Sequence, residues 1–209
     1  MAVFHQSILS TPNDLFIVGG VSISSSSTAT RNLSITSHQI GDMIIAMTSI
    51  AGSAAPALLS GYTNIVVSNG SGTSIRSIRL QFKFATSSTE SITYSGGKGY
   101  MIAVRNATRI GQVNTINQAV MEAANTRWSI PDLSNLNNSN SKLIIAGSYE
   151  FEPGATFYGT PTSPYIRFTT SNNNVCFVYA NKNNQTSLTS KSCFCSFTMI
   201  RNHYAIEIL

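Results

Sequence analysis

The sequence is short of charge. Only 10% of its 209 residues are Asp, Glu, Lys or Arg, against about a quarter in ordinary soluble domains. Eight acids and three histidines leave little material for acid–base catalysis. No G-x-S-x-G elbow, H-E-x-x-H pair or calcium-loop pattern occurs, so the reading is of a non-enzymatic protein with no cofactor. No apolar run approaches the ~18 residues of a membrane-spanning helix, which argues against membrane insertion. The 13 basic residues outnumber the acids and give a formal charge of +5. They fall singly between Arg31 and Arg201, and the densest group is Arg76, Arg79 and Lys83. With no basic tract, zinc-finger spacing or RNA-binding aromatic motif, nucleic acid is not the expected partner.

Cysteine is scarce too, with Cys176, Cys193 and Cys195 the full set. The odd number, and an opening Met1-Ala2-Val3-Phe4-His5 without a basic signal region, speak against a secreted disulfide framework. Assembly in a reducing cytoplasm is expected. Cys193 and Cys195 would form a metal set with Cys176 and His203 only if neighbouring strands gathered all four. On one strand they share a face with Phe197 and Met199 and read as small core hydrophobes, so no metal is expected.

What the chain has instead is Ser, Thr and Asn, about a third of all residues, which compete with helical backbone bonds. Its apolar residues alternate. In Ser77-Ile78-Arg79-Leu80-Gln81-Phe82-Lys83-Phe84 the even positions are apolar and the odd ones polar, placing Arg79, Gln81 and Lys83 outside. Tyr204, Ile206 and Ile208 repeat the pattern at the C-terminus. Further strands are expected at 15–24, 43–50, 63–68, 91–94, 100–105, 142–149, 165–169, 175–179 and 193–201. Gly/Asn/Ser turns separate them, and Ser95-Gly96-Gly97-Lys98-Gly99 reads as a hairpin turn, since it lacks phosphate-loop spacing. The fold class is all-β, an antiparallel jelly-roll-like sandwich with at most one or two short helices. One helix is predicted over 115–126, from the capping-box spacing Thr115-Ile116-Asn117-Gln118 and the stripe Ile116, Ala119, Val120, Ala123 and Ala124.

The chain also echoes itself. Phe82-Lys83-Phe84-Ala85, Ile92 and Val104-Arg105-Asn106 resemble Phe177-Val178-Tyr179-Ala180, Leu188 and Ile200-Arg201-Asn202 at offsets of 95 to 96. Met43-Ile44-Ile45-Ala46 parallels Leu143-Ile144-Ile145-Ala146 at an offset of 100. One domain built from two similar halves follows, about 15–106 and 142–209, with 107–141 as the connection.

Candidate binding residues are aromatics in Gly/Pro-rich loops: Phe157 and Tyr158, Tyr165, Tyr62 after Gly61, and Trp128. Such rings suit saccharide stacking or a protein interface, or else each tucks under its loop and closes the sandwich. Glu150 and Glu152 are the one close carboxylate pair, a weak case for glycoside hydrolysis because they precede Pro153-Gly154 at a strand end.

Gly41-Asp42 before an apolar strand, Gly61-Tyr62-Thr63, Phe82-Lys83-Phe84-Ala85-Thr86 and Glu90-Ser91-Ile92-Thr93 resemble, in order, a pattern of structural proteins of tailed-bacteriophage virions. The resemblance covers about 40–106. It implies a jelly-roll sandwich attached to a tail, baseplate, fibre or capsid, assembled in the host cytoplasm and resident in the virion. A tail- or fibre-associated adhesion or assembly subunit is the leading expectation, and a capsid decoration protein the alternative. The implied partners are other virion proteins, a host-surface glycan and further copies of the chain, a trimer being the expected homo-oligomer.

Overall fold

The computed structural model describes residues 2–4, 15–23, 29–69, 76–117, 127–129, 131–134, 136, 143–149, 157–158, 166–169, 175–181, 187–188, 192–195 and 202–209. The first eight strands are β1 (Ala2–Phe4), β2 (Phe16–Ile23), β3 (Thr30–Ile35), β4 (Met43–Ala51), β5 (Thr63–Asn69), β6 (Arg76–Phe84), β7 (Glu90–Ser95) and β8 (Gly99–Arg105). Six of them form a sheet in the order β1-β2-β8-β4-β6-β5, while β3 and β7 pair in a two-stranded cover. Beyond them come β9 (Ile110–Asn117), β10 (Arg127–Ser129), β11 (Leu133–Ser134), β12 (Leu143–Tyr149) and β13 (Phe157–Tyr158). The remainder are β14 (Ile166–Thr169), β15 (Val175–Asn181), β16 (Ser187–Leu188), β17 (Ser192–Cys195) and β18 (Asn202–Ile208). The second large sheet is β14-β15-β12-β18-β9, with β11–β16 and β10-β17-β13 as smaller sheets. The protein is an all-β antiparallel sandwich, and no helix occurs among the described residues.

Two cores explain the burial. Between the large sheets lie Met43, Ile45, Met47, Ile78, Leu80, Tyr100, Ile102 and Val104, facing Leu143, Ile145, Tyr204, Ile206 and Ile208. On the other side of the first sheet, Val21, Ile44, Ala46, Met101 and Ala103 meet Leu33, Ile35, Ile92 and Tyr94 of the cover. The first sheet is therefore covered on both faces, which is why Met43-Ile44-Ile45-Ala46-Met47 is apolar throughout. The outer side of β6 is covered as well: Arg79 Nε donates to the Pro56 carbonyl at 2.6 Å, and Gln81 Oε1 accepts from the Leu59 amide at 2.8 Å. The alternation in β6 is as expected, but Gln81 faces a strap of backbone and not water.

Three local expectations are corrected. Thr115–Asn117 belong to β9, paired with Asn202, His203 and Tyr204 of β18, and residues 118–126 lie outside the described residues. Capping-box spacing at 115 is overridden by the sheet register, which the β-branched Val113, Thr115 and Ile116 suit. Consequently 107–141 is more than a connection, since β9 is the edge strand of the second sheet. The turn at 95–99 is not a hairpin either: β7 pairs with β3 and β8 with β2 and β4, so the turn carries the chain between layers. Gly97 N donates to the Ser49 carbonyl at 3.2 Å, and Ser49 Oγ to the Lys98 carbonyl at 2.7 Å, fixing that crossing.

The two large sheets share one plan. In chain order β2, β4, β5, β6 and β8 correspond to β9, β12, β14, β15 and β18, and the strand orders β2-β8-β4-β6-β5 and β9-β18-β12-β15-β14 are the same. Register agrees: Met43 pairs with Val104 and Leu143 with Ile208. The irregularity between Ile17 and Gly19 in β2 recurs between Ile206 and Ile208 against β9, at the corresponding place. Even the covers match, with Leu33–Ile92 and Ser34–Ser91 answered by Leu133–Leu188 and Ser134–Ser187. The echo at Val104 is misaligned, however, because register sets Tyr100-Met101-Ile102-Ala103-Val104 against Tyr204-Ala205-Ile206-Glu207-Ile208.

These two tyrosines meet. Their hydroxyls lie 2.8 Å apart in the core, both rings fully buried. A residue touching its own counterpart is what a local two-fold relation produces. Burial, and next the neighbouring Tyr204, hold the Tyr100 hydroxyl well above its ordinary value of 10.0. The fold thus favours the neutral phenol, and its contribution is present below pH ~10 and lost as pH rises further. Tyr100→Phe should cost about 1–2 kcal/mol in urea unfolding, and adding Tyr204→Phe less than that again, because the first change has already removed the shared bond. The double variant should also lose stability less steeply than the natural chain above pH ~10.

Candidate functional site

The residues that carry the family-like pattern converge at one end of the first sheet. Gly41 and Gly61 take left-handed backbone conformations, φ +93° and +78°, that place the following Asp42 and Tyr62 at the mouths of β4 and β5. Asp42 closes its own turn, its Oδ2 accepting from Gln39 N at 2.8 Å. Its backbone carbonyl accepts from Ala85 N at 2.8 Å, while Gly41 N donates to the Ala85 carbonyl at 2.9 Å. The same carboxylate receives Arg105 from β8 through Nε at 3.1 Å and a terminal nitrogen at 3.0 Å. That two-pronged geometry holds a guanidinium in a fixed plane, here 5.7 Å from the centre of the Phe16 ring.

A second ion pair lies beside it. Lys83 contacts the Glu90 carboxylate, with the lysine side chain 20% exposed and the glutamate 5%. The ammonium stands 5.4 Å over the Tyr62 ring. Glu90 also accepts from Thr86 N at 2.7 Å and Ser87 N at 3.3 Å, so it folds the β6–β7 loop around itself. His38 Nε2 lies 2.9 Å from the Ser87 carbonyl and ties the loop to the Gly41 turn. Burial pushes the Glu90 carboxyl up, but Lys83 and the two amides outweigh it and leave the group below its ordinary value. The Tyr62 phenol is pushed the other way, first by burial and then by Glu90.

Chemically, this network braces. Asp42 and Arg105 join β4 to β8, and Lys83, Glu90 and Tyr62 join β5, β6 and β7. Around it the turns present apolar side chains to water: Ile40 is 70% exposed, Leu58 50% and Phe84 40%.

Of the aromatics singled out in the sequence, Tyr62 is packed within the cover core, the tucked arrangement of the two left open above. Trp128, Phe157 and Tyr158 fall in one three-stranded sheet on either side of β17. Trp128 stands opposite Cys193, Phe157 opposite Cys195 and Tyr158 opposite Phe194. Tyr165, Glu150 and Glu152 lie outside the described residues. Cys176 is on β15 of the large sheet, apart in topology from Cys193 and Cys195 on β17. Among the described residues no three His, Cys, Asp or Glu side chains are grouped to hold a metal. Arg105 was not among the sequence candidates, and a basic residue ending a strand gives little signal that it answers an Asp 63 positions earlier. No family model, curated protein or solved structure matches the chain.

Glu90→Gln should destabilise the protein by about 2–4 kcal/mol, because Lys83 keeps its charge in a half-buried place. The depressed Glu90 carboxyl contributes stability that is present above its ordinary pH range and lost as pH falls through its lowered value. Acid unfolding followed by tyrosine fluorescence should therefore show a smaller loss between pH ~5 and ~2 in the variant. An unchanged acid limb would remove Glu90 from this role.

Proposed function

We propose that this chain is a non-enzymatic structural subunit of a tailed-bacteriophage virion, in a tail-, baseplate- or fibre-associated position, with a role in assembly or adhesion. The observation that carries the reading is the convergence of the pattern residues. Gly41, Asp42, Tyr62, Lys83, Ala85 and Glu90 come from four separated stretches and act on one another. A pattern whose members form one bracing unit is a property of a fold, and it carries more weight than four short strings met by chance.

The outer face of the cover supports an adhesive role. Thr30, Asn32 and Ser34 on β3 and Ser91, Thr93 and Ser95 on β7 are all exposed. Cross-strand bonds order them, Thr93 Oγ1 to Asn32 at 2.8 Å and Ser91 Oγ to Ser34 at 3.0 Å. This neutral array of hydroxyls and amides matches the hydrogen-bonding chemistry of a host-surface glycan. The exposed Ile40, Leu58 and Phe84 favour a second reading, capsid decoration, in which such tips are buried against the shell.

Immunogold electron microscopy of purified particles, with antibody against this chain, tests both. Label on tails or fibres is the expected result, and label over heads would select decoration. Particles that lack the chain altogether would overturn the virion reading.

A further inference from the structure

Strands β2 and β9 are counterparts, each lying beside the tyrosine-bearing strand of its sheet and each irregular at the same place. On its far side β2 carries β1, with Ala2 opposite Ser22, Val3 opposite Val21 and Phe4 opposite Gly20. Among the described residues β9 carries nothing there and ends its sheet. The chain path explains the difference. An N-terminal segment precedes β2 and supplies β1, whereas β9 follows β8 directly after residues 106–109.

An edge strand turns half of its N–H and C=O groups away from the sheet, and proteins usually blunt such edges with charge or proline. β9 has neither, from Ile110 to Asn117. Among the described residues, Gln112 N of this strand donates to Glu207 Oε2 at 3.0 Å, and Asn114 Nδ2 donates to the Asp132 carbonyl at 2.7 Å. The nearby edge strand β5, Thr63–Asn69, is also uncharged.

We infer that β9 is a strand-addition site whose occupant is β9 of a second copy, antiparallel across a two-fold axis, so that two five-stranded sheets become one. The position is the one β1 fills on β2. Two-fold pairing sets a strand against itself, which like charges would oppose and an uncharged strand permits. Each partner's outward carbonyls then meet the other's outward amides.

Sedimentation equilibrium on the full chain should give a dimer, twice the 22.4 kDa of one copy. Hydrogen exchange should show the β9 amides protected in the dimer and released on dilution. Asn114→Lys places two like charges close together at that edge, and should weaken association at least tenfold while circular dichroism and the unfolding midpoint stay near those of the natural chain. Should that variant lose its fold, the exchange measurement on the natural chain, before and after dilution, decides the matter. A chain that stays monomeric at every concentration overturns the inference. So does a trimer, or a dimer whose β9 amides exchange as fast as they do after dilution. Protection of β9 only when an unrelated extended peptide is added would assign the edge to a different partner and also overturns it.

Discussion

Burial of the first sheet on both faces is the constraint from which the rest of the described structure follows. A strand covered on one side alternates, but β4 is apolar without a break from Met43 to Met47, all of them sealed from water. One face needs the second large sheet and the other needs the β3–β7 cover. Polar groups that lie between layers must then be satisfied inside the protein. The Tyr100–Tyr204 hydroxyl pair, the Ser49–Lys98 bond and the Gln81 contact with Leu59 each do this at a different layer boundary. The ion pairs sit at the sheet end, where Arg105 and Lys83 keep part of their side chains in water and avoid the full desolvation of a buried charge.

Much of this was legible in the residues. Alternation in β6 and β18, the unbroken run in β4 and the abundance of Ser, Thr and Asn are local consequences of sheet geometry, so they survive in a single sequence. The failures share a cause, which is competition from distant pairing. Thr115-Ile116-Asn117-Gln118 satisfies the spacing of a helix start, and only the presence of β18 nearly 90 residues later, with Tyr204 opposite Thr115, decides that Thr115–Asn117 are strand. Likewise Gly96 and Gly97 mark a turn in either topology; whether β7 and β8 pair with each other is not written in the turn.

The family-like pattern shows the same division. Its residues stood out because Gly-Asp, Gly-Tyr and Lys-to-Glu spacings are locally distinctive, yet their role depends on being brought together. Tyr62, open to an exposed or a tucked place in the sequence, lies beneath Lys83; Asp42 closes its turn and also anchors Arg105. A turn aromatic preceded by glycine carries no signal for which side of the loop it occupies, since that is settled by distant strands: Tyr62 joins Ile44, Ile92 and Tyr94 in the cover core.

Correspondence between the halves gives the low charge of the chain a physical setting. Two similar units that pack through equivalent faces need those faces apolar or neutral, because a charge at a shared position would meet its own kind across the contact. Tyrosine fits the central position on both sides, since its hydroxyl can donate to a copy of itself as well as accept from one. Covalent linkage through residues 106–109 keeps the two sheets at high effective concentration, which frees the covers to differ. The first presents Thr30, Asn32, Ser34, Ser91, Thr93 and Ser95. The corresponding region of the second half holds Trp128, Phe157 and Tyr158 in the strands around β17. Joining the units in one chain thus allows what identical subunits cannot have, a hydrogen-bonding array on one half and an aromatic-bearing sheet on the other.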